Sequence, residues 1–350
     1  MNLARPDLSN VPDDIVAYIA ALEAELDRQA DDERSEGAAR PEIPLEPSEP
    51  PTTMQVISVS ASGLAKRTPR HLYLRQRRGG MGIFDLDSPS DDPPKFLVVA
   101  DQSAGLLLVT DQARAFRLEV ATLAEAAIRS RGQSLLEGFP LRPNEKLALV
   151  VPDQGGTYLL LASQRGQVRR IGRQYLGKSL QPGTVLYDPK EGGAPAAASW
   201  SSGSDELFIA TKQGKAIRFA ERLVPVRGCL GLRVEQGDQV VGIAAAGSDG
   251  GVFLLNSDGK GTIRLFSGFA ANKEPGAGGK VAMKTDELIG AAAIHNSTGD
   301  QHDLFCISQL GKIVRFQAAE VPAKEGVVQG VNCMSLRADS CTAFTVCTVG

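Results

Sequence analysis

A repeat of about fifty residues runs through most of this chain, and it restricts the possible folds more than any other feature of the sequence. Each copy has an apolar strand, a tight turn and a second strand that carries arginine, as in YLLLASQRGQVRR (158–170). Aligned on the turn residue, successive copies are separated by 50, 53, 48, 45 and 52 residues. The six turn residues are Gly63, Ala113, Gly166, Gly214, Gly259 and Gly311.

Each copy also ends on a third apolar strand, such as FLVVA (96–100), although that of the third copy, AAASW (196–200), is degenerate. In the fifth copy one extra residue separates Gly259 from Arg264, which predicts a longer hairpin or a bulge. Units of several short strands without a long helix match a radial array of blades better than a sandwich or a solenoid. We therefore predict an all-β, six-bladed, propeller-like disc over residues 54–350.

A short helix is predicted before the repeats, at residues 11–29. Ser9 or Asn10 can cap it, and its apolar residues recur at helical spacing. The resulting stripe fits a docking or dimerisation helix, and it fits equally well a helix packed on its own body. The stripe consists of Ile15, Ile19, Leu22 and Leu26.

Residues 30–53 are acidic and rich in proline, so they predict a disordered and fairly extended linker. Residues 1–53 hold 13 Asp and Glu against 4 Lys and Arg, a net charge of −9. The remainder therefore holds 28 acids and 34 bases, a net charge of +6. An acidic head on a basic body is typical of a polyanion-binding domain with an acidic appendage.

The sequence holds no recognisable catalytic or metal-binding arrangement. Its three histidines, His71, His295 and His302, stand outside any triad or metal-ligand context. The five cysteines lack CxxC spacing, which predicts reduced thiols rather than disulfides or a zinc site. No apolar run is long enough to span a membrane, and the start of the chain lacks the pattern of a signal peptide. We expect an intracellular binding protein with no catalytic residue, cofactor or metal.

Basic residues recur at equivalent positions of the copies, which points to a polyanion as the ligand. In a disc, the arginine of each second strand lies at the same place in every blade and offers a curved, sequence-independent track for duplex phosphates. The alternative is that these arginines cap turns or pair with acids of the next blade. The candidates are Arg67, Arg117, Arg170, Arg218, Arg264 and Arg315, with Lys66, Arg70, Arg114, Arg131, Arg169, Arg227 and Lys312 as further bases.

The stretch QRRGGMG (76–82) adds the most specific signal. Arginine forks match phosphate oxygens, and glycines let a backbone approach a ligand closely. With the approach KRTPRHLYLRQRRGG (66–80), the stretch KQGKAIRF (212–219) and the six repeats, it closely resembles the C-terminal domain of the DNA gyrase A protein over residues 54–350. The resemblance implies a six-bladed β-pinwheel that wraps DNA around its rim. It implies DNA-wrapping residues at Arg75, Gln76, Arg77, Arg78, Gly79, Gly80 and Gly82.

Two departures from the family pattern bear on function. Met81 stands where the family has lysine, which removes one phosphate contact. The large breakage–reunion region with its catalytic tyrosine is not in this sequence, so we expect a stand-alone pinwheel that does not cleave DNA. The third copy is also divergent from Ser179 to Trp200, so one blade is expected to contact DNA weakly.

The leading hypothesis is a cytoplasmic, nucleoid-associated protein that binds and bends duplex DNA without sequence preference. Its partners would be double-stranded DNA and a separate gyrase or topoisomerase IV core, or it would act alone as an architectural protein. The acidic head would then compete with DNA for the basic rim. The alternative is a protein-interaction propeller with a degenerate box, docked to a partner by its N-terminal helix. An enzyme site at the centre of the disc is disfavoured by the lack of a catalytic constellation.

Overall fold

The computed structural model of the protein describes residues 49–153, 155–294 and 302–348, together with Pro12 and Ile15. The rest of the predicted N-terminal helix and the predicted linker up to residue 48 lie outside the described residues. The described residues from 49 onward fall within one compact unit, Leu45–Gly350.

The last residues of the predicted linker belong to the folded body, contrary to the prediction of disorder through residue 53. Glu49 accepts a hydrogen bond from Arg70 at 2.9 Å, and Thr53 donates one to Asp101. These contacts fix the chain immediately before the first strand. The acidic composition predicted disorder. That prediction failed because Arg70, the basic partner of Glu49, lies 21 residues later in the chain and is not visible in the local composition.

Each repeat forms the predicted two-stranded hairpin. All six turn residues have positive φ, from 54° at Ala113 to 96° at Gly63, a conformation that glycine adopts without steric cost. The Gly63 N–H donates to the Ser60 carbonyl at 3.1 Å, and the other turns repeat this bond. The hairpins are β1 (Met54–Ser60) with β2 (Leu64–Pro69), β5 (Gly105–Thr110) with β6 (Arg114–Glu119), β9 (Tyr158–Ser163) with β10 (Gln167–Gly172), β13 (Glu206–Thr211) with β14 (Lys215–Ala220), β17 (Gly251–Asn256) with β18 (Lys260–Leu265), and β21 (His302–Ser308) with β22 (Lys312–Gln317).

A third strand pairs with the first strand of each hairpin and faces the centre of the disc. A β-bulge recurs near the end of this pairing in every blade, for example between Val59 and Ser60. The degenerate third copy still forms its strand, because a backbone ladder tolerates small side chains. These strands are β4 (Pro94–Asp101), β8 (Leu147–Pro152), β12 (Pro195–Ser201), β16 (Val240–Ala246), β20 (Leu288–Ile294) and β25 (Cys341–Thr348).

The fifth hairpin is neither longer nor bulged, so that prediction was wrong. Phe253 pairs with Ile263 and Val252 with Arg264, without a shift of register between the two strands. In the fourth hairpin the corresponding pair is Phe208 with Arg218. Ile263 therefore takes the place that arginine has in the other blades. Arg264 follows one residue later, so its side chain leaves the opposite side of the strand.

The outermost strand of each blade is short and comes from the next unit along the chain. β7 (Gln133–Ser134), from the second unit, pairs with β2 of the first blade. β3 (Ile83–Phe84), from the first unit, pairs with β22 of the last blade and so closes the ring. The other outer strands are β11 (Thr184–Val185), β15 (Cys229–Leu230), β19 (Lys280–Val281) and β24 (Val331–Asn332), with β23 (Ala323–Lys324) also on β18.

A single 3₁₀ turn follows the second strand of every hairpin, a feature that the repeat pattern did not predict. One short α-helix, α1 (Pro189–Gly192), lies in the third unit, and Asp188 caps it by accepting from the Lys190 N–H. No helix in the described part of the chain is long and apolar enough to cross a membrane. The 3₁₀ turns are η1 (Arg70–Leu72), η2 (Val120–Thr122), η3 (Arg173–Tyr175), η4 (Glu221–Leu223), η5 (Phe266–Gly268) and η6 (Ala318–Glu320).

The hydrophobic core lies between the blades, in six clusters with one at each junction. At the junction of the last and first blades, Val56 and Val99 pack with Phe305 and Ile313. Since successive side chains of a strand point to opposite faces, each blade can bury apolar residues against both neighbours. The prediction of a six-bladed, almost entirely β disc is confirmed.

Candidate nucleic-acid interface

The repeated arginines join each blade to the next. The Arg67 Nε donates to the Leu123 carbonyl at 2.8 Å, at the end of the 3₁₀ turn of the second blade. Arg218 donates to the Phe266 carbonyl at 2.6 Å and to the Phe269 carbonyl at 3.0 Å, at the equivalent turn of the fifth blade. The Leu123 and Phe269 carbonyls come at the end of a one-turn helix, where a carbonyl has no helical partner, so the guanidinium satisfies them. The Phe266 carbonyl also accepts from the Phe269 N–H at 3.1 Å. We call this contact the inter-blade arginine bond.

The other repeated arginines are also engaged within the protein. Arg315 makes the inter-blade arginine bond across the ring closure, where it donates to the carbonyls of Arg70 and Tyr73. Arg117 lies 3.1 Å from Asp153, and Arg170 lies 4.0 Å from Glu221. Arg264 donates to the Gly268 carbonyl at 3.0 Å. The structure therefore favours the alternative in which strand-end arginines cap turns and pair with acids, rather than lining a phosphate track.

Two of the further bases are buried in ion pairs. Lys66 contacts Asp85 and donates to the Ala127 carbonyl at 3.2 Å. Burial lowers the pKa of Lys66, and the Asp85 carboxylate opposes that shift. Arg114 pairs with Glu145 at 2.6 Å. Neither side chain can reach a phosphate on the surface, because a charge moved out of such a pair would leave its partner buried and unpaired.

An ion-pair network of five residues lies where the ring closes. Asp303 accepts from Arg315 at 2.7 Å and from Arg75 at 3.1 Å. Glu49 pairs with Arg315 at 2.6 Å and also with Arg70. Burial opposes ionisation of Glu49, but hydrogen bonds from Arg70 and Arg315 outweigh it, so the pKa of Glu49 lies below its ordinary value. Arg70 and Arg75, both predicted to bind DNA, thus take part in holding the first blade to the last.

The glycine-rich stretch 76–82 is attached to the last two blades. The Gln76 N–H donates to the Arg315 carbonyl at 2.7 Å, and the Gly79 N–H to the Cys333 carbonyl at 2.8 Å. The Arg78 N–H donates to Glu320 at 3.0 Å, and its guanidinium donates to the Asn332 carbonyl at 3.3 Å. Arg78 is 8% exposed, so of the two adjacent arginines only Arg77 extends into solvent.

Glycine immediately precedes the outer strand of all six blades, a repeat that the sequence reasoning recognised only in part. A Cβ on Gly82 would lie 2.6 Å from the Ile313 carbonyl oxygen, and one on Gly279 would lie 2.7 Å from that of Ala216. Only glycine lets the outer strand approach its neighbour so closely. The spacing of about fifty residues was the signal that could have found the set. The glycines are Gly82, Gly132, Gly183, Gly228, Gly279 and Gly330.

The residue before that glycine lies at the outer edge of the disc, and it differs among blades. Arg131 and Arg227 occupy this place on the first and third blades, and both are exposed, the Arg131 side chain to 88%. Met81 occupies it on the last blade and is 56% exposed. Pro182 occupies it on the second blade, whose outer strand comes from the divergent third copy. The substitution of lysine by Met81 thus affects an accessible edge position.

The accessible bases form a smaller and different set from the one predicted. Of the candidate bases, Arg77, Arg131 and Arg227 are exposed, whereas the partly exposed ones are Arg75, Arg117, Arg169, Arg170 and Lys312. Arg169 stacks on the Tyr187 ring at 4.7 Å. Three further exposed bases at or beside the outer strands, Arg129, Lys280 and Lys324, were not among the predicted DNA-binding residues. We define the rim cations as Arg77, Arg129, Arg131, Arg227, Lys280 and Lys324.

A central cavity of about 1820 Å³ lies among the six third strands. Small apolar side chains such as Ala197, Ala292 and Ala343 line its wall, and charged residues such as Lys95 and Asp153 also border it. Among the described residues, no group of three or more His, Cys, Asp or Glu could hold a metal ion. The described wall therefore does not point to a particular reaction.

A family model described as the DNA gyrase C-terminal domain, a β-propeller, matches residues 55–87, 106–152, 205–246 and 302–324. The DNA gyrase A protein of Mycolicibacterium smegmatis is 26% identical over 297 residues, 80% of this chain and 34% of that protein. The gyrase A protein of Staphylococcus aureus strain NCTC 8325 / PS 47 is 25% identical over 300 residues, 83% of this chain and 34% of that protein. The chain thus spans about a third of the length of these relatives.

Two solved structures show the same fold. A DNA gyrase A C-terminal domain superimposes with a TM-score of 0.71 at 19% identity, covering 85% of this chain and 99% of that one. The C-terminal domain of DNA topoisomerase IV gives a TM-score of 0.56 at 16% identity, covering 86% of this chain and 94% of that one. In sequence and in fold, the chain is thus similar to the C-terminal domain of DNA gyrase A.

Proposed function

We propose that the disc binds duplex DNA without sequence preference and bends it along the rim. The observation that carries this proposal is the recurrence of exposed cations on the outer edge of five of the six blades, counting only the described residues. On the second blade, Thr184 and Val185 follow Pro182, so DNA would meet a gap there. Similarity to the DNA gyrase A C-terminal domain family supports a DNA-binding role in general.

The chemistry of the rim suits a phosphate backbone rather than base recognition. Arginine and lysine neutralise phosphates and release counterions, so each contact lowers the slope of log K against log salt by about 0.9. Acids are present as well: Asp87 lies 3.7 Å from Arg131, in a pair so exposed that water screens it strongly. A phosphate can compete with Asp87 for that guanidinium. Arg77 forms no ion pair with a described residue, so it can meet a phosphate without breaking one.

The curvature of the disc explains why bound DNA would bend. Contacts spread around its circumference can engage one duplex only if the duplex follows the edge. Smooth bending of 20–30 base pairs by 40–90° costs on the order of 1–6 kcal/mol. Several phosphate contacts can offset that cost at low salt, which makes bending strongly dependent on ionic strength.

In the cell, we propose that the disc works beside a separate type II topoisomerase core, in the cytoplasm with the chromosome. Its own role would be to bind and shape DNA, not to cleave it. The acidic segment before the folded body, residues 1–48, would compete with DNA for the rim because it holds 12 acids against 4 bases. Removal of residues 1–48 should then tighten DNA binding. If the shortened protein binds DNA with the same affinity as the full chain, the acidic segment does not compete with DNA.

Ligation of nicked plasmid in the presence of the protein tests the main proposal. Wrapping should shift the linking number of the closed circles, and the protein should retard linear duplex of any sequence at low salt. The triple variant Arg77→Ala, Arg131→Ala, Arg227→Ala serves as the control and should lose most of both effects while keeping its thermal stability. If the wild-type protein at low salt causes no topological shift and does not retard linear duplex, the proposal is refuted.

A further inference from the structure

Three apolar residues within four positions of the chain are exposed on the outer edge where the ring closes. Met81 is 56% exposed, Ile83 is 39% exposed and Phe84 is 49% exposed. They lie on or immediately before β3, whose two residues pair with Lys312 and Ile313 of the last blade. We call these three residues the apolar tip. An exposed group of large apolar residues commonly marks a binding surface.

Cations surround the apolar tip. The Arg129 guanidinium lies 5.5 Å from the centre of the Phe84 ring, and the Lys312 ammonium lies 5.4 Å from it. Arg77 is exposed four residues before Met81. Asp87, an exposed acid three residues after Phe84, is paired with Arg131. The tip is therefore complementary to a partner that combines dense negative charge with accessible apolar surface.

No other blade presents such a tip. Phe84 is the second residue of its outer strand. Among the six described residues at this position, it is the only aromatic one. Ser134 and Asn332 are polar, whereas Val185, Leu230 and Val281 are smaller aliphatic residues. The aromatic ring thus stands at one point of the rim, beside the glycine-rich stretch 76–82.

The tip is also held rigidly. The β3–β22 pairing fixes Ile83 and Phe84, and the Asp85 N–H donates to the Gly311 carbonyl at 2.8 Å. The Asp85 side chain is buried against Lys66 and Ser58. A side chain on so fixed a backbone can press into a partner without a large loss of conformational freedom.

We propose that Phe84, flanked by Met81 and Ile83, inserts between adjacent base pairs of bound duplex and kinks it at the ring closure. Apolar wedges of Phe, Ile and Met act in this way in the minor groove, where surrounding cations hold the phosphates of both strands. This inference rests on the proposed DNA binding and adds to it a fixed point of contact. At this one point it adds a preference for deformable steps to binding that reads no bases, because pyrimidine–purine steps kink more readily than A-tracts.

Two duplexes of equal length and composition test the wedge, one with a central TA step and one with a central A-tract. Wild-type protein should prefer the TA duplex by roughly tenfold, because a deformable step accepts the kink more readily. A 2-aminopurine placed at the TA step should brighten on binding, since its stacking is lost. Phe84→Ser should bind both duplexes equally and leave the fluorescence unchanged. Phe84→Trp should retain both effects.

Val281→Ser is the matched control, because Val281 holds the same strand position on the fourth blade and is 45% exposed. It should keep the preference for the TA duplex. Binding of both duplexes without preference or brightening by the wild-type protein would overturn the wedge and leave DNA binding intact. Failure to bind either duplex would instead refute the proposed function. If Phe84→Ser abolished a concentration-dependent self-association of the wild type, the tip would join two copies of the chain, and the wedge would be wrong.

Discussion

The guanidinium of Arg315 donates a hydrogen bond to the carbonyl oxygen of Tyr73, which lies 242 residues earlier in the chain, at 3.0 Å. Arg67 and Arg218 make the same kind of bond between consecutive blades. In Arg315 this bond joins the end of the repeat array to its beginning, so one side chain serves both as a repeated element and as a closure.

Arg315→Met should destabilise the disc by about 3 kcal/mol, because the Tyr73 carbonyl loses its buried partner and Asp303 and Glu49 each lose one of their two arginines. Urea unfolding at neutral pH measures the change. Arg337→Met is the control, since Arg337 is exposed, and it should change stability by less than about 0.5 kcal/mol. Equal effects of the two substitutions would contradict a closing role for Arg315.

Glu49→Gln should make the stability of the disc less dependent on acid pH. Because the pKa of Glu49 in the folded state lies below its ordinary value of 4.5, its ionised form favours folding above that value. This contribution is lost as the pH falls through the folded-state pKa. Denaturation curves of the two proteins should therefore differ at neutral pH and converge below the folded-state pKa. A constant difference across the range would show that Glu49 is not linked to folding through its charge.

Met81→Lys should strengthen DNA binding and steepen the salt dependence by about 0.9 in the slope of log K, one phosphate contact. The position lies on the rim, next to Gly82 and equivalent to Arg131 and Arg227. Leu310→Lys adds the same charge at a hairpin turn, where the side chain is 51% exposed, and should leave the slope unchanged. Fluorescence anisotropy over a salt series distinguishes the two, and equal slopes would mean that only net charge matters.

Arg131→Ala combined with Arg227→Ala should reduce the salt slope by about 1.8 without loss of stability, since both residues are exposed. Arg67→Ala and Arg218→Ala should instead lower the stability of the disc and leave the salt slope unchanged. Each removes hydrogen bonds to buried carbonyls, which costs about 1–3 kcal/mol, while the slope of the folded protein stays the same. A loss of salt slope in the second pair would place the repeated arginines on DNA after all.

The two adjacent arginines of the glycine-rich stretch show that residue type alone does not predict which side chain is exposed. Sequence reasoning assigned Arg77 and Arg78 the same role. The structure exposes Arg77 and buries Arg78 between Glu320 and Asn332, more than two hundred residues further along the chain. Arg78→Ala would therefore weaken the contacts that close the ring before it affected any contact with DNA. Which of two neighbouring arginines meets a partner depends here on the packing of distant strands, which residue type does not reveal.

The six-bladed fold was determined by the sequence alone, because its signals are local: an apolar run, a turn residue with positive φ and a second strand, repeated every fifty residues or so. Only the tertiary structure decided what the basic residues do. The turn carbonyls that bind Arg67 and Arg218 lie on the following blades, and those that bind Arg315 lie on the first. A guanidinium can satisfy a carbonyl or a phosphate equally well, so its role follows from which of them the fold brings within reach.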